Sequence, residues 1–97
     1  MKVDISKEEL IQVIKNYGIH SQTIMLFEEM SELQKEICKL YRKRGTIDHV
    51  IEELADVVIM LEQLQLMLNL EEKKLQEIVD YKMDRLKERM ESECNKK

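Results

Sequence analysis

The chain has 97 residues, 16 Lys and Arg against 20 Asp and Glu, and a formal net charge of −4. That length allows one domain, and the charge gives no electrostatic drive toward a nucleic-acid polymer. With no proline, two glycines, no tryptophan and 37% charged residues, the composition is that of long helices packed side by side, not of a sheet or a disulfide-rich module.

The opening MKVDISKEEL lacks the apolar centre of a signal peptide. The longest apolar run, residues 57–61, is far too short to span a bilayer. The two cysteines, Cys38 in an apolar helical pattern and Cys94 in a polar tail, read as free thiols in a reducing compartment. The expectation is a cytoplasmic protein with no membrane partner.

Helix punctuation divides the chain. Ser6 with Glu9 is a capping-box spacing, and Gly18 is a stop signal; together they predict a first helix over 7–16. A second begins near Ser21 and carries Leu26, Met30, Leu33, Ile37 and Leu40 at steps of four and three, one apolar stripe. It ends in the basic turn of Tyr41, Arg42, Lys43, Arg44 and Gly45. Thr46 is the expected N-cap of a third helix over 47–68, with Asp48 in its first turn. Asn69 with Glu72 repeats the capping-box spacing, so a fourth helix is expected over 70–90, with Leu75, Ile78, Val79, Lys82, Met83 and Leu86 on one side.

Short turns between long helices favour antiparallel neighbours. The expected fold is all-α, an antiparallel bundle of about four helices in one domain over 1–90, followed by a disordered tail over 91–97. The third helix is apolar on more than one side between Leu54 and Leu68 and needs covering from several directions. A chain this short buries only a thin core. Completion of the bundle by a homodimer or homotetramer is therefore expected.

Two stretches carry chemistry. Glu29 with Glu32, and Glu53 with Asp56, are each spaced i, i+3, which puts both members of a pair on one helical face. Asp56 is flanked by Leu54, Ala55, Val57, Val58, Ile59 and Met60, and no Lys or Arg occurs between His49 and Lys73. A carboxylate among such neighbours is expected to be partly buried, and an unpaired buried charge is costly. A cation is a suitable partner. The midpoint between Glu32 and Glu53 falls between Arg42 and Lys43, as does that between Glu29 and Asp56. In a hairpin turning there, both pairs lie level. An all-oxygen ligand set suits Mg²⁺ or Mn²⁺. The competing reading is a solvated surface, the default for helical glutamate, with Lys35 and Lys39 pairing with Glu32 and Glu36.

At these residues the sequence resembles the MazG-like all-α nucleoside triphosphate pyrophosphohydrolases, a superfamily that includes dimeric dUTPases and dCTP pyrophosphatases. Their motif is E-E-x-x-E, a gap of about twenty residues, then E-x-x-D. Glu28, Glu29 and Glu32, then Glu53 and Asp56, match it with twenty residues between. Leu33 after the first block, and Leu54, Ala55 and Val57 around the second, also agree. The resemblance extends over residues 18–89. It implies that Glu29, Glu32, Glu53 and Asp56 are Mg²⁺ ligands, with Glu28 as a further ligand or supporting group. It implies hydrolysis between the α- and β-phosphates of a nucleoside triphosphate. Glu28 and Glu32 are the candidates for accepting the proton of the attacking water. In relatives a basic stretch near Lys82 and Arg85 helps hold the triphosphate. Many relatives have an asparagine shortly after that lysine, where this chain has Asp84. Asp80, Asp84 and Glu88 could instead pair with Lys82, Arg85 and Arg89 as a solvated face.

Two other readings compete. One is a non-catalytic helical dimerisation or adaptor module, or a degenerate relative, which has no need of Asp56 in an apolar helix. The other is a di-iron bundle, which needs Glu-x-x-His pairs; His49 stands four residues before Glu53, the wrong order and spacing.

Overall fold

The computed structural model describes residues 1–95 and contains four helices and, among the described residues, no strand. They are α1 (Lys7–Tyr17), α2 (Ile19–Tyr41), α3 (Ile47–Met67) and α4 (Glu72–Asn95). None is long and apolar enough to cross a membrane. The caps explain the boundaries. The Ser6 side chain accepts from the Glu9 amide and the Thr46 hydroxyl from the His49 amide, at 3.3 and 3.2 Å, each satisfying an orphan donor of a first turn. Gly18 sits at φ 91°, ψ 153°, a conformation that costs a side-chain-bearing residue dearly. It separates α1 from α2 without a loop.

The turn between α2 and α3 is built tightly. The Lys43 amide donates to the Leu40 carbonyl and the Arg44 amide to that of Lys39, at 3.0 and 2.9 Å, a Schellman ending with Lys43 at φ 61° in the glycine-favoured position. Gly45 is needed for space. A Cβ there would stand 3.1 Å from both the Leu40 nitrogen and the Lys39 Cβ. The end of α3 uses the same device, with Asn69 at φ 52°, its amide donating to Leu66 and that of Leu70 to Gln65. Asn69 therefore closes α3, and does not cap α4 as its spacing with Glu72 predicts. α4 begins two residues later than expected.

α2 and α3 form an antiparallel hairpin, and α1 packs against both. Leu10, Leu26, Val57 and Met60 are its buried apolar centre; each such side chain contributes about 1.5–3 kcal/mol on burial. Gln22 and Gln63 are buried with them. α4 is formed but touches none of the other three helices. Leu75, Ile78, Val79, Leu86 and Met90 on its stripe are all exposed, so the fourth helix of the expected bundle finds no packing partner among the described residues of its own chain. The α3 surface turned away from α2 is also open. There Ile51, Leu54, Val58 and Ile59 line, with Val3 and Ile5, an apolar hollow of about 500 Å³. The order expected to end at Met90 continues as helix to Asn95. Each further residue adds one backbone hydrogen bond, so a helix propagates readily once it is nucleated. Lys96 and Lys97, the rest of the expected tail, lie outside the described residues.

Candidate metal centre

The stripe of α2 that faces α3 runs Gln22, Leu26, Glu29, Leu33 and Glu36, steps of four and three that keep one face. Two turns along from the buried glutamine the interface thus changes from apolar to acidic. α3 meets it with Glu53 and Asp56, one turn apart on its own facing side. Carboxylate oxygens of Glu29, Glu53 and Asp56 all lie within 4.8 Å of one another. Glu29 and Glu53 are half-buried and Asp56 is exposed. The expected burial of Asp56 is thereby corrected. Its neighbours Val57 and Met60 enter the buried centre, whereas the Asp56 side chain leaves at the open edge of the interface, where among the described residues no helix closes over the groove.

The electrostatics mirror the geometry. Burial raises the Glu29 carboxyl above its ordinary value of 4.5, and a hydrogen bond to Asp56 together with repulsion from Asp56, Glu53 and Glu32 raises it further. Glu53 is also raised above 4.5, first by desolvation and then by repulsion from Asp56, Glu32, Glu36 and Glu52. No base offsets this. Among the described residues the one ion pair is Lys39 to Glu36, at 3.4 Å.

The remaining predicted residues are placed less tightly. Glu32 is exposed; its charge acts on both Glu29 and Glu53, but it lies outside the convergent trio. Glu28 is exposed and lines a shallow depression on α2 with Phe27, Glu29, Ser31 and Glu32. Lys82 and Arg85 line a separate hollow on α4 with Leu86 and Arg89. Because α4 touches neither α2 nor α3, these bases do not reach the acids of their own chain. The Arg85 guanidinium lies over the Tyr81 ring, 5.9 Å from its centroid. Asp80 accepts from Gln76 at 3.0 Å and not from a base. Glu36 emerges as an acid that the motif leaves out. Its Oε2 is buried without a partner, and its charge acts on Glu53. The signal available in the sequence was its position in the Gln22–Glu29 stripe, seven residues after Glu29.

The donor set fits a small divalent cation. Neighbouring oxygens on one octahedral Mg²⁺ at about 2.1 Å stand about 3.0 Å apart, so side chains whose oxygens lie within 4.8 Å of one another would have to close in by up to about 1.8 Å to share one ion. Comparison with known proteins finds no matching family model, no matching curated protein and no matching solved structure.

Proposed function

We propose that this chain is a Mg²⁺-dependent nucleoside triphosphate pyrophosphohydrolase, releasing a nucleoside monophosphate and pyrophosphate, and that it works as a homo-oligomer. The observation that supports this best is the convergence of Glu29, Glu53 and Asp56 from two helices within 4.8 Å, with no Lys or Arg among the described residues paired to any of them. A crowd of like charges with raised proton affinity is poorly suited to bare water. It is well suited to a divalent cation, Mg²⁺ or Mn²⁺.

Glu29, Glu53 and Asp56 would hold the metal, with Glu32 close enough to complete the set as its side chain swings. When bound, the ion neutralises phosphate oxygens and makes water a better nucleophile. Glu32 and Glu28, both exposed, would take up the proton released by water. The open mouth beside Asp56 admits a triphosphate. Lys82 and Arg85 would bind its phosphates only if α4 is carried to the groove, and a second copy is the natural source of that helix. The uncovered stripe of α4 and the open back of α3 favour association for the same reason.

The decisive assay incubates the protein with Mg²⁺ and a panel of canonical and modified nucleoside triphosphates and measures pyrophosphate. The expected result is release from at least one substrate, abolished in Asp56→Asn. Release from none favours the rival reading of a non-catalytic dimerisation module, for which the unpaired stripe of α4 is the specific support.

A further inference from the structure

Gln22 and Gln63 are 6% and 1% exposed, as deep as the apolar residues around them. The Gln22 Nε2 donates to the Gln63 Oε1 at 2.8 Å, and the Gln63 Nε2 donates to the Met60 sulfur at 3.6 Å. The midpoint of this pair along the chain falls between Arg42 and Lys43, the same point that relates Glu29 to Asp56 and Glu32 to Glu53. All three levels belong to one alignment of α2 against α3. Gln22 stands seven residues from Glu29, and Gln63 seven from Asp56, about 10.5 Å at 1.5 Å per residue.

We infer that the buried Gln22–Gln63 pair is a positioning device that sets the register of the hairpin and so brings Glu29 level with Glu53 and Asp56. The apolar residues specify that register only in part: by the same midpoint rule a slide of one turn takes Leu26 from level with Ile59 to Ala55 or Gln63, and the first of these is still apolar. A slide of one turn is about 5.4 Å, larger than the 4.8 Å span of the acid trio, and would scatter it. The same slide sets the Gln22 amide against Ile59 or Met67 and leaves two buried amides without partners, which is costly. A single buried polar pair fixes alignment in this way in coiled coils, at some expense of stability.

The inference bears on the proposed site through geometry alone, so its test needs no metal. In a Cys38→Ser/Cys94→Ser background, Glu29→Cys with Asp56→Cys reports the native register by disulfide formation. Glu32→Cys with Asp56→Cys, and Glu32→Cys with His49→Cys, report slides of one turn either way. Each reporter is compared with and without Gln22→Leu/Gln63→Leu. With the glutamines present, the native reporter dominates. With leucines, the melting temperature holds or rises, native cross-linking falls several-fold and a shifted reporter gains. Gln22→Leu alone, which orphans Gln63, lowers the melting temperature, and the double variant restores it. An unchanged cross-link ratio in the double variant overturns the inference. So does loss of the helical fold in the double variant, which would make the pair a source of stability and not of alignment. Failure of Mn²⁺ to bind a chain whose register is intact counts against the metal reading and leaves this inference standing.

Discussion

α4 supplies the most direct quantitative test. The chain exposes 8435 Å², whereas a compact monomer of 11.7 kDa exposes about 5,900 Å². Its radius of gyration is 17.3 Å against about 12.5 Å for a compact chain of this length. The excess, about 2,500 Å² per chain, is roughly three times the ~800 Å² that each partner contributes to a standard stable interface. Replacing Val79 and Leu86 with aspartate puts two charges on the stripe that an interface must cover. Burying even an uncharged polar group without a partner costs about 1–3 kcal/mol. Each carboxylate should therefore weaken association at least about tenfold, at 1.4 kcal/mol per decade. Sedimentation velocity across a dilution series reads this directly. The native chain should sediment at a multiple of 11.7 kDa, and Val79→Asp/Leu86→Asp as the single mass. Most helical stability in proteins comes from packing of an apolar face and not from propensity, so the variant should also lose far-UV helical signal. A native chain that sediments as a monomer at about 100 μM, where even weak association populates the complex, with α4 fully helical, refutes the reasoning.

The site and the turn give further expected outcomes. Asp56→Asn should reduce Mg²⁺ or Mn²⁺ affinity by at least about tenfold without lowering the melting temperature of the metal-free protein, measurable by titration calorimetry. Glu29 and Glu53 hold their protons more tightly folded than unfolded. The stability they contribute is present below their ordinary value of 4.5 and is lost as pH rises through the raised values. The melting temperature of the metal-free protein should fall across that window, and Glu53→Gln should flatten the fall. Added Mn²⁺ should stabilise increasingly over the same range, because metal and proton compete for the same oxygens. Lys43→Gly should raise stability by about 0.5–1 kcal/mol in a denaturant titration, since the left-handed position at φ 61° penalises a side chain.

Much of the hairpin was legible because its signals are local. Ser6 and Thr46 cap where their spacings say, and Gly18 breaks the chain where a helix-stopping residue should. The level register of the acids could be read from midpoints alone, because two antiparallel helices joined by a tight turn advance by equal steps. What escaped were features decided by the third dimension. The exposure of Asp56 depends on whether another helix covers the groove, and an apolar flank along the sequence does not reveal which side of α3 the carboxylate leaves from. Nothing in the local sequence marks Gln22 and Gln63 as buried, because each is tolerable inside only in the presence of the other, forty-one residues away. The stripe on α4 announced a helix that needs cover, and periodicity cannot say whose surface provides it. Asn69 was ambiguous because the same residue type opens helices and closes them.

The turn at Lys43 and Gly45 makes loop length a determinant of chemistry. Surface connections usually absorb insertions without harm. Here only Arg44 and Gly45 separate the ending of α2 from the Thr46 cap of α3, and the space beside Gly45 is already filled by Leu40 and Lys39. One residue more or fewer would have to rotate α3 by about 100° and move it about 1.5 Å, or else break a cap. Drift in length at this corner is therefore felt where Glu29 meets Asp56, thirteen positions from Arg42 and Lys43 respectively, and natural variants of this chain should differ there in residue type and not in number.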